Sequence, residues 1–149
     1  GSALQNNYKT LVASALADGH NIIAESPIDI NIAKQLNILI SDMGLAIERI
    51  VIDPTIGALG YGLEYAYSIM ERARLAALAG DRTLASPFIC FVGQEAWRTK
   101  EAKVSLEQGI IWETLTASSL IQSGADLLIM RHPKAAEKVN NFINTLYQG

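Results

Sequence analysis

The chain has 149 residues, a net charge of −3 at pH 7, and 50% hydrophobic against 18% charged side chains. That length suits one domain, and the acidic balance gives no footing for nucleic acid or an anionic membrane. The single cysteine, Cys90, excludes an internal disulfide, a thiolate-held iron–sulfur cluster and a structural zinc within this chain.

Mean hydropathy is positive, which points to surface that a partner covers. Cys90 lies among Phe88, Ile89, Phe91 and Val92 and reads as a small buried residue in a reducing, cytoplasmic setting. No apolar run approaches the ~20 residues of a membrane span, and no secretory leader is visible. Gly1-Ser2 in place of an initiating Met reads as a tag scar, which leaves 3–149 as the domain.

One unit recurs along the chain: a helix, a glycine stop, a short apolar strand, a polar turn. The first helix is expected from about Leu4 to Asp18, with Leu11, Val12, Ala15 and Leu16 on one face and Gly19 as its stop. The strand Ile22-Ile23-Ala24 follows and enters Glu25-Ser26-Pro27. Asp29 is the expected cap of a second helix whose apolar stripe is Ile32, Ala33, Leu36, Leu39, Ile40 and Met43. Gly44 closes it, and the strand Ile50-Val51-Ile52 runs into Asp53-Pro54-Thr55.

A glycine-rich loop with Gly57, Gly60 and Gly62 leads into a long helix reaching about Ala79, with Leu63, Ala66, Tyr67, Met70, Ala73 and Ala77 on one side. Tyr67 is expected in the core. Pro87 leads into a strand over Phe88 to Val92, which opens into Gly93-Gln94-Glu95. A charged stretch with Trp97 predicts a short helix over one mouth of the fold. Its Arg98, Lys100 and Lys103, interleaved with Glu95, Glu101 and Glu107, read as a solvated face. A helix from about Gly109 to Ser123 carries Ile111, Leu115, Leu120 and Ile121. The last strand, Leu127 to Met130, ends in Arg131-His132-Pro133, and the final helix buries Ala135, Ala136, Val139, Phe142, Ile143 and Leu146.

Short strands that are apolar throughout belong to a parallel sheet with helices outside. The fold class is therefore α/β. Four βα units make either half of a TIM barrel, which takes eight strands and about 250 residues when complete, or an open doubly wound sheet. On the barrel reading the strands at Ile22 and Leu127 are open edges.

In either fold, ligands sit beyond the carboxyl ends of the strands. Those ends carry Glu25, Ser26, Asp53, Thr55, Gln94, Glu95, Arg131 and His132. The loop from Asp53 to Gly62 allows close backbone approach and opens onto a helix N-terminus, yet matches neither the dinucleotide nor the P-loop pattern. His20 precedes a strand and so falls at the opposite mouth, and His132 reads as a cap. No histidine–carboxylate set has metal spacing. Trp97 and Trp112 are candidate core or interface anchors.

The string Ile52-Asp53-Pro54-Thr55-Ile56-Gly57-Ala58-Leu59-Gly60-Tyr61-Gly62-Leu63-Glu64-Tyr65 resembles the signature of the small (delta) subunit of the corrinoid iron–sulfur protein of the acetyl-CoA decarbonylase/synthase complex. Met70 to Leu78 continues it, and Ser26 to Asn31, Val92 to Trp97 and Met130 to Pro133 are similar to the same family in the same order. The resemblance implies a TIM barrel of about twice this length, of which this is the C-terminal half. It also implies a larger partner subunit that holds an iron–sulfur cluster and a mobile corrinoid. Together they carry a methyl group from a methylated pterin to acetyl-CoA synthase, in anaerobic carbon metabolism of the Wood–Ljungdahl type. Asp53, Thr55, Gly57, Gly60, Tyr61, Gln94, Glu95 and Arg131 would then line the mouth toward the corrinoid, none of them catalytic, because the cofactor carries the hard chemistry. The alternative is a pterin-binding methyltransferase with Asp53 against the pterin ring, and an unrelated barrel lyase with Glu95 or Asp53 as base is a third reading.

A half barrel leaves an apolar inner face, so a second copy is the simplest cover. The chain alone is expected to run as a dimer in light scattering, and a well-folded monomer would count against that pairing.

Overall fold

The computed structural model describes residues 2–148. It shows a mixed α/β fold with short parallel strands and more helix than strand. In chain order the elements are α1 (Tyr8–Asp18), β1 (Ile22–Glu25), α2 (Ile30–Asp42), β2 (Ile50–Asp53), α3 (Leu63–Leu78), β3 (Ile89–Cys90), α4 (Val92–Ala96), α5 (Leu106–Ser123), β4 (Leu127–Leu128) and α6 (Pro133–Tyr147).

The strands pair in the order of the chain. β1 lies parallel to β2 with Ile22 opposite Ile50, and β3 lies parallel to β4 with Ile89 opposite Leu127. A parallel bridge between Ile52 and Phe88 joins the two pairs. Ala3 adds a further parallel bridge at the outer edge of β1, to Ala24. The order runs without reversal, and successive helices pack on one another: α1 on α2, α2 on α3, α3 on α5, α5 on α6.

Local chemistry sets the ends of these elements. Asp29 caps α2 by accepting from the N–H groups of Asn31 and Ile32, as expected. Pro133 occupies the first turn of α6, where its missing N–H costs nothing. Gly19 and Gly124 end α1 and α5 in the left-handed conformation.

Alternation along the strands divides the side chains between two faces. Ile22, Ala24, Ile50, Ile52, Phe88 and Cys90 pack against the helices and form the core. Their neighbours Ile23, Val51, Leu127 and Ile129 point the other way, and Leu127 and Ile129 are 46% and 45% exposed. Helices cover one face of the sheet.

Several expectations are corrected. The first helix begins at Tyr8 and not near Leu4, because residues 2–4 lie beside β1. The third strand stops at Cys90, and Val92 opens a helical turn, since Gly93 donates its N–H to the carbonyl of Ile129 and draws the chain toward β4. Leu127–Leu128 is the whole of the fourth strand. Tyr67 is 45% exposed, and Ile69 takes the inward place on α3. On α5 the buried stripe is Gly109, Ile110, Glu113, Thr116, Ala117 and Leu120, while Ile111 and Leu115 face outward. On α6, Ala135 and Val139 are buried and Leu146 is exposed.

Phe88 is 2% exposed at the centre of the core, whereas Leu78 is 78% exposed. Phe88→Ala is expected to lower unfolding free energy in urea by about 3–5 kcal/mol, and Leu78→Ala by no more than about 0.5 kcal/mol.

Candidate functional site

Beyond the carboxyl ends of β1, β2 and β3 lies a cavity of about 240 Å³, lined by Ser2, Glu25, Asp53, Thr55, Ile56, Phe91, Gln94 and Glu95. Asp53, the last residue of β2, is 7% exposed. Its Oδ1 accepts from the Thr55 N–H at 2.9 Å. Burial, and the nearby carboxylates of Glu25 and Glu95, push its pKa up from 3.8 to about 6, against the lowering effect of the Thr55 hydrogen bond. Thr55 has φ +59°, a left-handed conformation that costs a non-glycine residue roughly 1–3 kcal/mol. Its hydroxyl is buried without a hydrogen-bond partner.

The glycine loop between β2 and α3 is fastened to α5. Trp112 Nε1 donates to the Leu59 carbonyl at 3.1 Å, and the Leu59 N–H donates to Thr116 Oγ1 at 3.3 Å. Gly57 has no room for a side chain, because a Cβ there would lie 2.2 Å from the Tyr61 carbonyl oxygen. Gly60 stands against the Trp112 ring.

The structure thus brings Asp53, Thr55, Gln94 and Glu95 to one cavity, whereas Gly57, Gly60, Tyr61 and Arg131 are not part of its lining. Gly57 and Gly60 shape the loop. The Tyr61 hydroxyl donates to Glu101 at 2.9 Å and accepts from the Lys100 N–H at 3.3 Å, which ties the loop to the segment before α5. Arg131 lies with its guanidinium carbon 5.1 Å from the centroid of Trp97. His132 caps α6 through Nδ1, which accepts from the Lys134 N–H. Arg98 pairs with Glu95 at 2.8 Å, on the exposed charged face read from the sequence. Cys90 is fully buried and its thiol is pushed up to about 12, chiefly by burial and then by Asp53 and Asp126. It is no nucleophile at neutral pH.

Among the described residues no group of three or more His, Cys, Asp or Glu is placed to hold a metal ion, and no helix is long and apolar enough to cross a membrane.

One buried polar residue escapes sequence reasoning altogether. Glu113 on α5 is fully buried, and its carboxylate accepts from the Trp97 indole N–H at 2.7 Å and from the backbone N–H groups of Arg131 and His132. The available signal is its place in the stripe 109, 110, 113, 116, 117 and 120, where a carboxylate interrupts small and apolar residues.

A parallel sheet packed against helices, with polar residues gathered at its carboxyl ends, defines an α/β protein. The comparisons with known proteins make this specific. Residues 1–146 match the family described as CO dehydrogenase/acetyl-CoA synthase delta subunit, and the chain belongs to that family. The acetyl-CoA decarbonylase/synthase complex subunit delta of Methanopyrus kandleri is 38% identical over 96% of this chain and 37% of its own length. Subunit delta 1 of Methanosarcina thermophila is 36% identical over 98% of this chain and 36% of its own. The Archaeoglobus fulgidus subunit delta is 35% identical over 97% and 35%. The chain therefore spans little more than a third of the length of these relatives.

Because Asp53 holds its proton more tightly in the fold than in the unfolded chain, the fold binds more protons between pH 3.8 and about 6. The contribution of Asp53 to stability is then fully present below that window and is lost as pH rises through it, by about 1–2 kcal/mol after allowance for water reaching the open cavity. Asp53→Asn keeps an acceptor for the Thr55 N–H and is expected to remove this dependence in denaturation measured from pH 4 to 8. An unchanged pH profile in the variant would show that Asp53 is not its source.

Proposed function

We propose that this chain is the C-terminal half of a TIM barrel, part of the small subunit of a corrinoid iron–sulfur protein. In that role it supports transfer of a corrinoid-bound methyl group from a methylated pterin to acetyl-CoA synthase in an anaerobic cytoplasm. The cavity at the carboxyl ends of the strands carries this reading, because Asp53, Thr55, Gln94 and Glu95 converge there. The barrel half is supported by sequential parallel order with helices on one face, whereas a doubly wound sheet reverses its strand order.

The residues present fit the edge of a corrinoid. The periphery of that macrocycle carries carboxamides, which need both acceptors and donors. Asp53, Glu25, Glu95 and the Gln94 carbonyl offer acceptors, and the unpartnered Thr55 hydroxyl offers a donor. A cavity of about 240 Å³ takes substituents of the ring and not the whole of it. When bound, the corrinoid supplies the cobalt that carries the methyl group. This chain's residues bind and orient its edge, and Ile56 and Phe91 keep water from it. Gly57, Gly60, Tyr61 and Arg131 form the surrounding rim. The partners are the larger subunit with its iron–sulfur cluster, a pterin methyltransferase and acetyl-CoA synthase.

Asp53 also favours a second reading. A buried carboxyl at the cavity wall, able to accept ring N–H groups, suits direct binding of a methylated pterin.

The test is made on the complete protein, purified without oxygen and assayed for cobalt, iron and copurifying subunits. Near-stoichiometric cobalt with a larger iron–sulfur subunit is expected, with Asp53→Ala weakening that association at least about tenfold. A cobalt-free protein that binds methyl-tetrahydropterin would replace this reading with the second.

A further inference from the structure

Glu113 takes no part in the cavity, yet it holds the residues that follow β4. Burying a carboxylate is costly unless donors meet its oxygens, and an apolar residue would fill the same volume at less cost. Packing alone therefore does not account for it. What it holds is specific. Its Oε2 accepts from Trp97 Nε1 at 2.7 Å, and its Oε1 accepts from the Arg131 N–H. The His132 N–H lies 3.2–3.3 Å from both oxygens.

Two close approaches make this arrangement possible. The Trp97 ring crosses α5 at Gly109, where a Cβ would lie 2.3 Å from the ring. The Arg131 backbone passes Gly93, where a Cβ would lie 2.5 Å from the Arg131 nitrogen. With indole and backbone both fixed, the Arg131 guanidinium carbon rests 5.1 Å from the Trp97 ring centroid, and the His132 ring stacks on the same indole at 6.1 Å. A long, flexible side chain is thereby held at the carboxyl end of β4 before any ligand arrives.

We infer that Glu113 is the positioning residue for Arg131, fixing through the Arg131 N–H and the Trp97 indole a guanidinium donor at the mouth for the carbonyl groups of the corrinoid's carboxamides. This rests on the mouth reading above and deepens it. The cavity lining is chiefly acceptors, and Arg131 at the carboxyl end of β4 adds a donor for the carbonyl ends of amide groups. Arg131 is exposed and makes the contact, and Glu113 acts only through it.

A double-mutant cycle on the complete delta subunit tests this, titrated with the larger subunit carrying its corrinoid. Temperature is chosen so that far-UV circular dichroism shows every variant folded. Arg131→Ala is expected to weaken binding about tenfold. Glu113→Gln has one acceptor oxygen where two are needed, and should weaken binding about fivefold with Arg131 present and less than about twofold in the Arg131→Ala background. Near-ultraviolet indole bands should shift in Glu113→Gln. Equal losses in both backgrounds would make Glu113 a merely structural residue and overturn the inference, as would unchanged binding in Glu113→Gln. If Glu113→Gln does not fold, Trp97→Phe keeps an aromatic face, smaller than the indole, and removes the N–H, and the same coupling to Arg131 is expected. Unchanged binding in Arg131→Ala overturns the inference, and Asp53→Ala in the same titration then shows whether the mouth reading falls with it.

Discussion

A parallel sheet needs cover on both faces, because its strands are apolar on both. Here the helices provide that cover on one side. Ile22, Ala24, Ile50, Ile52 and Phe88 face them and are buried, while Leu127 and Ile129 face away and remain nearly half exposed. β4 is also a free edge among the described residues, pairing with β3 alone. Because all the strands run parallel, each points its carboxyl end to the same side, and the turns after β1, β2 and β3 meet at one cavity.

Much of this was legible in the sequence, and for identifiable reasons. Glycine stops, the Asp29 cap and Pro133 act within one helical turn, so their effects are written locally. The strand pattern and the polar turns after it indicate the direction of the sheet and five of the cavity's residues, Glu25, Asp53, Thr55, Gln94 and Glu95. What could not be read is what depends on a distant partner. Apolar periodicity favours Ile111 and Leu115 for the inward stripe of α5, and both face outward. The residues that turn inward are instead those that something crosses: Gly109 under the Trp97 ring and Glu113 against the end of β4. Tyr67 faces outward for the converse reason, since an aromatic on a helix need not be buried to be tolerated.

The glycine loop shows how a locally strained segment is kept in place. Thr55 pays for a left-handed backbone beside the cavity, and such a conformation persists only where surrounding contacts over-determine it. The loop is held from a distance by Thr116 and Trp112, 57 and 53 positions beyond Leu59, whose N–H and carbonyl they bond. No local motif could have predicted them, although the string itself marks the family.

Trp112 and Glu113 are consecutive on α5, and successive residues of a helix point about 100° apart. One reaches the glycine loop after β2, and the other reaches the turn after β4 and the indole of Trp97. A single helical turn thus sets the relative positions of two segments of the mouth that have no direct covalent reason to agree. Small residues at Gly109 and Ala117 let α5 approach closely enough to do this, which explains why its buried face is poor in large apolar side chains. The helix trades hydrophobic packing for position, and what it positions is the loop after β2 and the turn after β4.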